Sequence, residues 1–153
     1  MTTEKYKIVL VTSDRCGHCT VFKKNILSDL QKKVFEDKRL EWIHINLPDF
    51  KFPEQGYPDG MKSIILWFPI LLLIPKDVWD SRNLKNSFDR INIFNAVYDN
   101  RSKRFDIAPP EKRNSTSLDG IMTWINSCLG PKKTIVVEKP AEKKIKFRDR
   151  IFS

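Results

Sequence analysis

The sequence predicts one α/β domain opening on a strand–helix–strand unit, and three observations carry that expectation. Lys7 to Ser13 is a β-branched apolar run, residues 19–36 switch to helical spacing, and Leu40 to Leu47 alternates like a half-buried strand. At 153 residues the chain fits a single domain with additions. Its 41% hydrophobic and 11% aromatic residues supply a core, which excludes a wholly disordered chain.

Taken in order, Lys7 to Ser13 reads as a buried central strand because it is apolar on both faces. Asp14 to Cys19 is a tight turn. Phe22, Ile26, Leu27, Leu30 and Val34 then recur at three- and four-residue intervals, one face of a helix ending near Glu36. A helix of that length is the crossover a parallel pair of strands requires. Pro48 closes the second strand, and Pro48, Pro53, Gly56, Pro58 and Gly60 leave residues 48–62 as a loop with at most one helical turn. Ile70 to Ile74 is a third strand, preceded by Trp67-Phe68-Pro69. Residues 76–103 read as an insertion in which Asn92 to Tyr98 is extended, followed by a turn at 99–102 and a strand at 103–107. Thr116 is expected to cap a last helix with Asp119 reaching back. Ile121, Met122, Trp124, Ile125, Cys128 and Leu129 form its apolar stripe, and Gly130-Pro131 ends it.

Charge is uneven. The formal net charge is +9, of which the stretch from Pro131 onward supplies eight Lys or Arg against three Asp or Glu. Residues 131–153 therefore read as a basic, solvated tail. Nucleic-acid binding through it is not expected, since Phe147 and Phe152 are its only aromatic residues and no recognition motif is present. The N-terminus carries no leader pattern, and the most apolar stretch, Ile64 to Ile74, is interrupted by Pro69 and too short for a membrane span. The expectation is a soluble protein of a reducing compartment, the cytoplasm.

Three cysteines are too few and too odd in number for a disulfide scaffold. Cys16-Gly17-His18-Cys19 stands where the first strand gives way to the first helix. A helix N-terminus presents unsatisfied N–H groups and partial positive charge, so a thiolate at Cys16 is favoured there below the ~8.5 pKa of free cysteine. Arg15, and His18 when protonated, add positive charge beside it. Cys16 is the candidate attacking sulfur, and Cys19, within the same turn, the candidate to resolve a mixed disulfide. Two other readings stand beside this one. The pair is half of a zinc site, for which Cys128, His44 and His18 are the remaining ligands, or it is inert.

The strand, the Cys16-Gly17-His18-Cys19 turn, the helix and the later strand opened by Pro69 together resemble the thioredoxin superfamily. The four-residue motif itself resembles the protein disulfide isomerase active site. The resemblance covers roughly residues 5–47, 63–75 and 103–130. It implies a thioredoxin-like fold, a central mixed sheet flanked by helices, over residues 1–130. It further implies a thiol–disulfide oxidoreductase that needs no cofactor and no metal, acts on protein thiols and disulfides, and is recycled by a thiol oxidase or reductase. Cys16, Gly17, His18 and Cys19 would form its catalytic set, and Arg15, Phe68 and Pro69 its substrate-facing set. Pro69 matches the family's cis-proline, with Phe68 offering backbone groups to substrate; an ordinary trans proline at a strand start is the other reading. Three departures stand out. Arg15 replaces a usual tryptophan, Leu10 stands where many members bury an acid, and Phe68 is bulkier than the residue usual before the cis-proline. The motif implies a potential nearer ~−180 mV than ~−270 mV. An oxidising dithiol in a reducing cytosol, with a Lys-, Asn- and Ile-rich composition, leads to the expectation of a viral redox protein. The competing functional class is a redox-inactive binding module, in which Trp79, Phe88 and their neighbours in 76–103, with the basic tail, hold a partner. In that stretch these aromatics otherwise simply pack the loop onto the core.

Overall fold

A computed structural model describes residues 4–53 and 55–130; the basic tail from Pro131 lies outside the described residues. Strand β1 (Tyr6–Ser13) is central. It pairs in parallel with β2 (Leu40–Leu47), from Tyr6↔Leu40 to Ser13↔Leu47, and antiparallel with β3 (Ile70–Pro75). Strand β4 (Asn92–Ile93) adds antiparallel to β3, giving a mixed sheet in the order β2-β1-β3-β4. Being buried on both faces, residues 8–11 of β1 and all of β3 are continuous apolar runs without alternation.

One sheet face, with Ile8, Leu10, Leu71 and Leu73, is covered by helices. The crossover comprises α1 (Gly17–Phe22), a π turn (Lys23–Leu27) and α2 (Ser28–Glu36). Phe22 and Leu30 are eight residues apart, which overshoots two α-helical turns by nearly one residue. The wider π turn between them takes up that residue, and both side chains are buried in the same cluster. Helix α4 (Leu118–Leu129) completes this layer through Ile121, Trp124 and Ile125, the Trp124 ring meeting Phe94 edge-on at 5.3 Å. Its end is tied down where Arg39, ion-paired with buried Asp37, donates to the Gly130 carbonyl at 3.0 Å.

The other sheet face, with Val9, Val11, Leu72 and Ile74, is covered by irregular chain: Met61, Ile64, Val78, Leu84, Ile91 and Phe105 fill it. Two expectations change here. The strand near 103–107 forms as β6 (Arg104–Ile107), but it pairs with β5 (Ala96–Asp99) in a separate ladder; the fourth strand of the main sheet is β4, inside the stretch read as an insertion. Residues 76–90 also hold α3 (Lys76–Asp80) and a 3₁₀ segment (Lys85–Arg90), too short to leave a periodicity in sequence. Trp79 and Phe88 pack against the core from this stretch, as the loop-packing reading has it.

The cap of α4 differs as well. Ser117, not Thr116, accepts the Gly120 amide, at 3.1 Å, which leaves Asp119 at the second helical position and forms no capping box. The first turn is seated on the Ser115 carbonyl, where a Cβ at position 120 would come within 2.0 Å. Only glycine permits that approach.

Candidate functional site

Cys16 ends the turn after β1 in an extended conformation (φ −104°, ψ 111°) and caps α1, its Sγ accepting the Cys19 amide at 3.0 Å. Oxygen side chains usually fill this position; here a sulfur does. The Cys16 carbonyl accepts from the Thr20 amide at 3.2 Å and hydroxyl at 3.3 Å, closing the first helical turn around it. Cys16 and Cys19 are joined as a disulfide, with Cα atoms 5.1 Å apart. Cys16 is 7% exposed and Cys19 fully covered, so Cys16 is the less buried of the two.

The turn is held from below by Ser13, a buried residue whose Oγ accepts the backbone amides of Arg15 (3.4 Å) and Phe50 (3.3 Å). One side chain thereby joins the chain leaving β1 to the chain leaving β2. The parallel register, Ser13 opposite Leu47, brings these two exits together. Asp49 takes up the Arg15 guanidinium at 3.1 Å, both groups exposed. Phe50, at φ +59°, sets its ring edge-on to Phe68 at 5.0 Å. The Phe68–Pro69 peptide is cis and delivers the chain into β3.

Among the residues singled out from sequence, His18, Phe68 and Pro69 line one groove of about 800 Å³. Gly17 is exposed and a Cβ there would meet open space, so its identity answers to no packing demand. Arg15 faces Asp49 rather than that groove. Beyond Phe68 and Pro69 the groove continues past Phe94 to Ile107, Arg113 and Ser117, residues that the sequence reading did not single out. Asp49 and Phe50 were missed too, although a signal existed: loops leaving parallel strands gather at the strands' carboxyl ends, where ligands commonly bind in α/β sheets.

Leu10, where the resemblance places an acid, is fully buried among apolar side chains. The nearest polar substitute along the same strand is Thr12, fully buried two positions on and hence on the same face. Its hydroxyl donates to Asn46 Oδ1 at 2.7 Å, which leaves His44 Nε2 as the donor in their 2.9 Å contact. Lys23, one helical turn after Cys19, donates to the same Asn46 oxygen at 3.1 Å, and Asn46 donates to Asp14 at 2.7 Å. Burial first, and the Lys23 charge second, hold the His44 pKa below its ordinary value.

Cys128 stands in the last turn of α4, half-buried, its thiol pushed up to about 11 by burial. Among the described residues no group of three His, Cys, Asp or Glu side chains converges to hold a metal, and no helix is long and apolar enough to cross a membrane. The site thus comprises a disulfide-forming pair three residues apart at a helix N-terminus, Cys16 the less buried of the two, with His18 between them lining a mostly apolar groove. No family model matches the chain, and neither does any curated protein sequence.

Proposed function

We propose that the chain is a thiol–disulfide oxidoreductase with a thioredoxin-like domain over residues 1–130, exchanging disulfides with protein partners through Cys16. The observation that carries this reading is the capping of α1 by the more exposed Cys16 sulfur, at a pair closed as a disulfide. The helix N-terminus favours negative charge on that sulfur, and a stabilised thiolate is both the better leaving group and, at neutral pH, the more abundant nucleophile. The β2-β1-β3-β4 sheet with its helical layer supports the architecture.

In the oxidising direction a partner thiolate bonds to Cys16 Sγ. The Cys16–Cys19 bond breaks, its electron pair leaving on Cys19 Sγ, which takes up a proton. A second partner thiolate then attacks the partner sulfur of the mixed disulfide and releases Cys16 as a thiolate. The partner gains a disulfide, losing two electrons, and Cys16 and Cys19 are reduced. A thiol oxidase restores them; run backward, the same steps reduce a partner, and a reductase resupplies the electrons. Buried Leu10 supplies no proton carrier, so water, His18 at the groove or another group must bring the proton to Cys19.

Equilibration of the protein in glutathione buffers of graded potential, followed by alkylation and mass-spectrometric mapping, tests this. One two-electron transition confined to Cys16 and Cys19 is the expected result. A midpoint near ~−180 mV assigns oxidase or isomerase work, and one near ~−270 mV assigns a reductase. A pair that stays thiol across the range overturns the reading in favour of a redox-inactive binding module.

A further inference from the structure

The groove lined by His18 carries one sign of charge and exposed aliphatic side chains from two separate elements. Val21 on α1 is 56% exposed and Ile107 at the end of β6 is 58% exposed, and both line it. Aliphatic side chains left open on two sides of a concave surface fit an apolar side chain of a ligand. No Asp or Glu lines the groove, whereas Arg113 does. Its Nε donates to the Ala108 carbonyl at 2.7 Å, which fixes the guanidinium, and no carboxylate pairs with it among the described residues. The wall that bears it is fastened to the sheet by one side chain. Asn95 donates to the Asn114 carbonyl at 2.9 Å and accepts the Asn114 amide at 2.8 Å, and the Asn95 carbonyl accepts the Ala108 amide at 2.9 Å. The guanidinium is therefore pre-positioned, and binding a carboxylate there costs little ordering.

We infer that this groove selects among partner polypeptides, taking an extended segment with an apolar side chain close to its cysteine and a carboxylate farther along that meets Arg113. The inference rests on the oxidoreductase reading and names its substrate class. The apolar side chain settles between Val21 and Ile107, and the segment's cysteine is presented to Cys16 past His18 and Phe68. The protein's overall positive charge attracts any acidic peptide, so position, and not net charge, is the discriminating variable.

The test uses the full, pre-reduced chain and peptides of identical composition, each with one Phe beside one cysteine held as a mixed disulfide with mercaptoethanol. A single Glu is moved from two to six residues on either side of the cysteine, and reduction rates are compared with that of hydroxyethyl disulfide. Isomers with Glu on one side are expected to react about three- to fivefold faster than those with it on the other, the scale of one exposed ion pair. The contrast should shrink in about 0.5 M salt, where the screening length is only a few ångströms, and Arg113→Glu should shift the preference to the matching Lys isomers. Equal rates for all isomers alongside reduction of hydroxyethyl disulfide overturn the inference alone. Failure to reduce hydroxyethyl disulfide overturns the oxidoreductase reading, and the inference with it.

Discussion

Cys16 and Cys128 occupy opposite ends of two helices that pack on the same face of the sheet. Cys16 caps the N-terminus of α1 and accepts an amide hydrogen bond from Cys19, whereas Cys128 lies in the last turn of α4. At the first position the local backbone presents N–H groups and positive potential; at the last it presents carbonyls and negative potential. Burial acts on Cys128 in the same direction, pushing its thiol up to about 11. One residue type thus meets two environments, and the contrast teaches that helix polarity and burial, more than cysteine content, decide which sulfur is available for chemistry.

The strongest way to break this contrast is to exchange the sulfurs one at a time. Cys16→Ser is expected to lower the rate of disulfide exchange by about a thousandfold or more, the scale of losing a nucleophile, while Cys128→Ser leaves it within about twofold. Stopped-flow reduction of a small disulfide reads both, and a large loss in Cys128→Ser would remove the distinction. Alkylation of the reduced protein at pH 8 sharpens it: Cys128 is expected to react several hundredfold to about a thousandfold more slowly than Cys16, from thiolate fraction alone. The same shift predicts a sign for stability. Because the folded chain holds the Cys128 proton from the usual 9.0 up to about 11, the unfolded chain loses it first. Stability is therefore unaffected by this group below pH 9 and falls as pH rises toward 11. Cys128→Ser should show a shallower decline over that window in chemical denaturation.

A smaller effect concerns what supports Cys16. Ser13 accepts two backbone amides, and Ser13→Ala leaves both without that acceptor. Destabilisation of about 1–3 kcal/mol is expected by urea denaturation, with the Arg15 and Phe50 amides exchanging hydrogen faster. Unchanged protection at those two amides would show that Ser13 does not hold the turn.

Much of the first half was legible in sequence because its elements are long and their signals local. The β-branched run of β1, the change to helical spacing after Cys19 and the alternation of β2 each span enough residues to show a period. The cysteine spacing and its place at a strand-to-helix junction were equally open to view. The extended stretches and turn of 92–107 also showed, but not which strands they pair with, and residues 76–91 gave no signal, since α3 has five residues and β4 only two. Elements that short are stabilised by what they cover, and their sequence shows composition without rhythm.

By itself, then, the sequence determined the βαβ opening, the helix that presents Cys16 and Cys19, and the apolar strand that follows Phe68-Pro69, all through patterns readable within a few residues. Tertiary structure alone decided what surrounds the pair. Ser13 meets Phe50, Arg15 meets Asp49 and Phe50 meets Phe68 because parallel pairing lays two strand exits side by side. Arg113 and Ile107 reach the groove because Asn95 fastens a distant segment to the sheet. These are encounters between residues up to tens of positions apart. No local period encodes them, since they exist only once the backbone has closed.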